Sequence, residues 1–338
     1  MNVQKLDRMI ADSTETLEAC PDDVDALSRR GWAWLKKEEY NNAIADFDKA
    51  LSWDADLVKV LNNRGLAFCA KGDHDLAIAD YTAAICRSPT SELLIHFHYN
   101  RGRAYRMRGS FAEAIEDFNE AIRRDPRHAK ACGFRALAWH DLGDYRSAIA
   151  DFDLAIQLDS KSADTFHNRG NTWVCLGKLR KAIADFTRAI KLDPNNPKNS
   201  LTHNSRGIAW NRKGRYAKAL ADYERALELD PDSLMRRAVL GSFLATCPQR
   251  RVRNGSRAVE LLNEVCEMTD NRDAENLEYL ATAHAELGDF RSAIAVQKKA
   301  ITLVTDEHQK EDMRYYLAMF EAGVPWHSEK PKWRDRWA

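Results

Sequence analysis

In the stretch FAEAIEDFNEAIRRDP the apolar residues Phe111, Ala114, Ile115, Phe118, Ala121 and Ile122 recur every three or four positions, and Pro126 closes the run. That spacing predicts a helix with one apolar face, ended by the proline. The same pattern keeps returning. AIADFDKALSWD begins at Ala43, and a near copy, AIADYTAAICRSP, begins 34 residues later at Ala77. The apolar positions come in short, evenly spaced clusters instead of long core strands, so an array of small helical units is predicted in place of separate globular cores.

Aligning the copies gives a 34-residue frame with units at 24–57, 58–91, 95–128, 129–162, 163–196 and 200–233, broken only by three-residue inserts at 92–94 and 197–199. A small residue stands in the eighth slot: Gly31, Gly65, Gly102, Ala136, Gly170 and Gly207. Three positions on comes an aromatic: Trp34, Phe68, Tyr105, Trp139, Trp173 and Trp210. A turn glycine follows in most units (Gly72, Gly109, Gly143, Gly177, Gly214), then a second run with an A-x3-F/Y pair, and finally Pro89, Pro126, Pro194 or Pro231. Each unit is thus two amphipathic helices, A and B. The eighth-slot residue is expected to let the helices approach, met by the alanines Ala43, Ala77, Ala114, Ala148, Ala182 and Ala219. No unit buries its apolar face alone, so neighbours must stack.

This order of small, aromatic and proline landmarks at a 34-residue period resembles the tetratricopeptide repeat family. The resemblance implies an all-α, right-handed α-solenoid with a concave surface lined by the A helices, and a protein partner bound there. Residues 1–23 are expected to be an N-terminal capping helix equivalent to half a repeat. Residues 234–273 form an irregular unit with a long polar loop, 274–307 an eighth unit in which Gln297 replaces the aromatic, 308–324 a closing helix and 325–338 a Trp-rich basic tail. L-A-T-C-P followed by R-x-G and a regular unit is similar to the closing module of many bacterial repeat proteins of this type.

Two charged series vary together. Arginine precedes the small residue at Arg30, Arg64, Arg101, Arg135, Arg169 and Arg206, and aspartate precedes the helix-B aromatic at Asp46, Asp80, Asp117, Asp151, Asp185 and Asp222. Where the arginine becomes Leu280 the aspartate becomes Val296, and Leu240 also lacks its partner. A planar guanidinium can hold a carboxylate through two bonds, so a structural Arg–Asp ladder within or between units is expected. An electrostatic stripe offered to a ligand is the other reading.

One slot earlier stand Arg29, Asn63, Asn100, Phe134, Asn168 and Ser205. In superhelical members of the family the matching asparagines line the groove and grip a peptide backbone, which implies that role for Asn63, Asn100 and Asn168. An amide suits it, offering a donor and an acceptor. Local bonding to neighbouring helices or water is the alternative. Phe134 interrupts the series, and Arg29 and Ser205 alter it. Trp32, Tyr99, Arg103, His167, Asn171 and Asn204 are expected beside it on a polar groove of mixed charge. The family's clamp for chaperone C-termini is not matched: Asn171 fits one slot, but His167 stands where a lysine belongs and Ser205 where the next asparagine belongs.

Composition narrows the chemistry. Lys plus Arg equals Asp plus Glu at 51 each, so no global field favours nucleic acid or an anionic membrane, although a local patch is compatible with this balance. The opening MNVQKLDRMIADSTETLEAC is acidic without an apolar run, and no segment approaches a membrane span, so a soluble, cytoplasmic chain is expected. Seven scattered cysteines without a C-x-x-C pair are expected to be reduced and mostly buried. His96 and His98 lie two apart and would diverge on a helix, so no metal is expected. No nucleophile elbow or phosphate loop is present, no cofactor is expected, and an enzyme would need a convergent constellation that the sequence lacks.

In the tail, Trp326, Trp333 and Trp337 alternate with Lys330, Lys332, Arg334 and Arg336. Such a mixture folds back on the last helix, enters a partner's pocket or stacks on bases. The expected function is a non-catalytic protein-interaction scaffold or adaptor. Its rival is a self-assembling homo-oligomer that uses the irregular unit and the tail.

Overall fold

The computed structural model describes residues 2–194, 196 and 198–326. Eighteen α-helices and no strand occur among them. The chain divides into two compact units, Met1–Ser160 and Lys161–Ala338. The first holds α1 (Val3–Ala19), α2 (Val24–Lys36), α3 (Tyr40–Trp53), α4 (Val58–Lys71), α5 (His74–Arg87), α6 (Leu94–Arg108), α7 (Phe111–Arg124), α8 (Ala129–Asp141) and α9 (Tyr145–Leu158). The second holds α10 (Ala163–Cys175), α11 (Leu179–Leu192), α12 (Asn199–Arg212), α13 (Tyr216–Leu229), α14 (Leu234–Thr246), α15 (Gly255–Met268), α16 (Ala274–Glu286), α17 (Phe290–Leu303) and α18 (Glu307–Glu321). Within each unit every helix packs on the next, and A helices of adjacent repeats also touch, which makes each unit an all-α repeat solenoid.

Glycine in the eighth slot has a different partner from the one expected. A Cβ added to Gly31, Gly65, Gly102, Gly170 or Gly207 would lie 2.6–2.9 Å from the ring of Phe47, Tyr81, Phe118, Phe186 or Tyr223. The helix-B aromatic, not the helix-B alanine, is laid against the bare backbone of helix A. Its ring reaches nearly complete burial there, a large apolar contribution from one side chain. In the fourth repeat Ala136 takes the slot and shares a buried cluster with Ala148 and Phe152.

The A-to-B turn needs a left-handed residue, and Gly72, Gly109, Gly143, Gly177, Gly214 and Gly288 supply it with φ between 68° and 89°. The first full repeat has Glu38 at that place, with φ 65°. Helix α1 packs on α2 as a B helix packs on the A helix that follows it, and a buried serine, Ser13, stands in the aromatic slot.

The second unit changes its core after α13. Leu240, Phe243, Leu244, Leu262, Leu277 and Leu280 join one large apolar cluster, and Leu262 takes the place of the ring against Gly241. Gln297 is fully buried and donates to the Met313 carbonyl of α18 at 3.0 Å. The seven cysteines are all free thiols. Only Cys132, Cys247 and Cys266 are buried, while Cys20 and Cys86 are exposed, so the expectation of mostly buried thiols is corrected. The exposed pair end helices α1 and α5, where the apolar face has run out.

Two substitutions test these contacts by urea unfolding. Gly170→Val is expected to destabilise by about 1–3 kcal/mol, because the added carbons strike the Phe186 ring. Glu38→Gly is expected to stabilise by about 0.5–1 kcal/mol through relief of the left-handed backbone.

Candidate functional site

The arginine and aspartate series meet inside each repeat. In all six, Nε and Nη2 of the arginine donate to the two carboxylate oxygens of the aspartate at 2.6–2.9 Å: Arg30 to Asp46, Arg64 to Asp80, Arg101 to Asp117, Arg135 to Asp151, Arg169 to Asp185 and Arg206 to Asp222. All six aspartates are buried. The remaining Nη1 turns toward the preceding B helix: Arg30 reaches Thr14 (3.2 Å), Arg64 reaches Asp48 (2.6 Å), Arg101 reaches Thr82 (3.0 Å), Arg135 reaches Asn119 (2.7 Å) and Arg206 reaches Thr187 (3.0 Å). Two arms close the repeat and the third ties it to its neighbour.

These third acceptors were not singled out from the sequence. Their signal is an oxygen-bearing residue two places after each aspartate, as in Asp80-Tyr81-Thr82. Missed too was a role for the histidine that opens the two repeats following inserts. His98 Nδ1 lies 2.8 Å from Asp117, and His203 Nδ1 lies 2.8 Å from Asp222. Burial pushes the Asp222 carboxyl up, but bonds from His203 and Arg206 outweigh it and leave its pKa below the ordinary carboxylate value. Among the described residues no cluster of three or more His, Cys, Asp or Glu could hold a metal ion.

The A-helix residues form separate groups. In the first unit Asn100 donates to Asn62 at 2.9 Å, and Asn62 donates more weakly to Asn63 at 3.4 Å. Inside this chain the Asn63 amide NH2 and the Asn100 side-chain carbonyl are not used. The three asparagines line a cavity of about 330 Å³ with Lys59, His96 and Tyr99. Asn62 could have been found from sequence as the polar residue directly before Asn63.

Beside this cavity Arg103 is exposed and held by rings, its guanidinium 5.7 Å from the Tyr99 centroid and 5.2 Å from that of Phe134. Tyr99 and Phe134 pack edge to face at 5.6 Å. The phenylalanine that breaks the asparagine series is therefore the wall that fixes an arginine. Arg29 is exposed on α2, and Trp32 is half-buried beneath Lys36, whose Nζ lies 5.5 Å from the ring.

The second unit places its candidates differently. His167 has both ring nitrogens engaged, Nδ1 with Thr202 and Nε2 with Asn171, each at 3.0 Å. Burial lowers its pKa. Asn168 and Ser205 are half-buried. Asn204, expected on an open groove, is instead buried with its carbonyl unpaired. Trp326 packs on Tyr316 of α18 with centroids 4.8 Å apart. Trp333, Trp337 and the four tail cations lie outside the described residues.

Family models described as tetratricopeptide repeat match residues 24–57, 56–127, 99–163, 163–196 and 200–233. The chain belongs to the tetratricopeptide repeat family. Solved structures with a similar fold include a tetratricopeptide repeat protein from Parabacteroides merdae, 17% identical, with a TM-score of 0.55 over 77% of this chain and 98% of that one. PilF of Pseudomonas aeruginosa is 17% identical, with a TM-score of 0.57 over 66% of this chain and 97% of its own. The Cut9–Hcn1 heterotetramer of the APC/C is 17% identical, with a TM-score of 0.59 over 90% of this chain and 58% of that one. No curated protein matches the sequence. Among the described residues no helix is long and apolar enough to cross a membrane.

Asp222→Ala is expected to cost roughly 3–5 kcal/mol, since it leaves Arg206 and His203 without their shared carboxylate. A depressed carboxylate pKa stabilises above its unfolded value of about 4 and loses that stabilisation as pH falls through the folded value. The difference in unfolding free energy between wild type and variant should therefore be level above about pH 5 and shrink below about pH 4.

Proposed function

We propose that the protein is a non-catalytic interaction scaffold whose A-helix face in the first unit takes an extended segment of a partner protein. The observation that carries this reading is the Asn100–Asn62–Asn63 chain on the lining of a cavity, whose internal bonds leave over an amide donor at Asn63 and a carbonyl acceptor at Asn100. A peptide backbone brings the complementary pair of groups. Arg103, held between two rings and without a carboxylate partner among the described residues, adds a fixed cation at the edge of that cavity, suited to an acidic side chain of the same segment. The buried Arg–Asp ties support the face from behind and leave few of the ladder charges for a ligand.

His167, Asn171 and Asn168 in the second unit are a further contact set on this reading. Family membership supports a protein partner in general terms, and the neighbours cited above support the fold. The packing of Trp326 on Tyr316 supports the fold-back reading of the tail at that residue over capture of a second copy.

The test is affinity capture from native lysate with the intact protein and with a folded Asn63→Ala, Asn100→Ala, Asn168→Ala variant, followed by Arg103→Gln alone. A partner held by the intact protein is expected to be lost by the triple variant and weakened about tenfold by Arg103→Gln. Equal retention by all three proteins would remove the A-helix face as the binding site.

A further inference from the structure

The overall neutrality of the chain conceals one strongly basic stretch. Residues 178–218 carry eleven Lys and Arg against two acids, Asp185 and Asp193, and Asp185 is already buried in the tie to Arg169. These residues supply α11, α12 and the start of α13 in the second unit. Between α11 and α12 lies a cavity of about 540 Å³. Its cations are Arg180, Arg188, Lys191 and Lys213, and Ile183, Ala184 and Trp210 give it an apolar floor. No acidic residue lines it.

The repeat frame shows how unusual this junction is. The residue at the end of helix A and one near the start of the preceding B helix carry opposite charges at two other junctions, and at the remaining regular ones (Lys71 with Asn41, Leu142 with Ala112, Leu176 with Arg146) at most one of the two is charged. Lys37 bonds Asp7 at 2.6 Å, and Arg108 bonds Asp75 at 3.0 Å. At the corresponding positions here stand Lys213 and Arg180, both lining the same cavity. This junction thus holds two like charges where two others hold a salt bridge, and a bound anion would relieve the repulsion. Lys213 is further held in place over the Trp210 ring, with Nζ 5.5 Å from the centroid, and Lys218 lies over the same ring at 4.7 Å.

We propose that the α11–α12 cavity is a second docking site, separate in its residues from the asparagine face, and that it takes an acidic segment of a partner polypeptide carrying apolar side chains. The apolar floor with a cationic rim matches a buried leucine- or phenylalanine-type side chain flanked by carboxylates. A nucleic acid strand is a poorer complement, because two ammonium groups already cover the Trp210 ring on which a base would stack. A membrane surface is poorer still, because the apolar lining is a buried isoleucine, a half-buried tryptophan and a small alanine, with no exposed large apolar side chain to insert.

The test is fluorescence anisotropy of the full chain with a labelled synthetic peptide in which glutamate and leucine alternate in pairs, compared with its glutamine counterpart. The glutamate peptide is expected to bind and the glutamine peptide not to, with affinity falling as salt rises. The deciding variant is Lys213→Glu, which places opposite charges at the junction, as Lys37 and Asp7 do, and so should keep or raise Tm. It is expected to weaken the peptide by about tenfold or more, while Lys49→Glu on the first unit, an exposed lysine remote in sequence from this cavity, leaves it unchanged. Failure of the wild type to bind, or equal loss in Lys49→Glu, would overturn the proposal. So would tighter binding of single-stranded RNA or of phosphatidylserine vesicles, with the same dependence on Lys213. Because Asn63 and Asn100 do not line this cavity, the asparagine variants should bind the peptide normally, so the two sites stand or fall separately.

Discussion

A guanidinium drawn against a buried carboxylate and itself largely covered must have its donors satisfied, and in this protein that requirement couples one repeat to the next. Two arms of each ladder arginine saturate an aspartate in the same repeat, and in five of the six an identified third arm ends on the preceding B helix. A single repeat could never satisfy that third arm by itself. The polar tie therefore does what apolar stacking alone does loosely: it fixes the register of neighbouring repeats, because a one-turn slip would leave a donor unpaired in a poorly solvated place. The A helices then present their outer residues at set positions, on which a binding face depends.

Beyond α13 the same problem is solved mainly by apolar packing, with the pair of Arg253 and Glu286 at 2.8 Å as a charged tie. Leu240 and Leu280 remove the donors, the partner aspartates are gone, and the space is filled by the large leucine-rich cluster of the second unit. Gln297 keeps one polar bond in that region, to the Met313 carbonyl. The change exchanges directional pairing for area burial. That suits a region whose loop 248–254 departs from the regular repeat, since apolar packing tolerates changed helix spacing better than a bidentate bond does.

Helix positions were legible in the sequence because the 34-residue period marks every A and B helix, and the Arg–Asp pairing was legible because both members change together. What contacts the eighth-slot glycine was not, since sequence spacing tells which helices meet but not which side chain of helix B lies across the backbone; the ring of Phe186 on Gly170 is the example. The acceptors Thr82 and Asn119 stayed hidden because they belong to the preceding repeat and differ in residue type. Arg103 was legible as a groove residue, but its confinement by Tyr99 and Phe134 depends on three neighbouring side chains packing together. Asn204 was misplaced because its slot turns inward in that repeat. The basic cavity on α11 and α12 was masked by acids elsewhere in a chain of zero net charge.

Ser13 shows what a B helix is left with when the ring is missing. In α1 the slot that holds a ring in the six regular repeats holds this small polar side chain, which contributes little burial of its own. Its order is borrowed from α2, through packing and through the bond that Arg30 gives to Thr14. What α1 lacks in burial it must therefore draw from the repeat beside it, so its order follows that repeat's order and adds to the cooperativity of the stack.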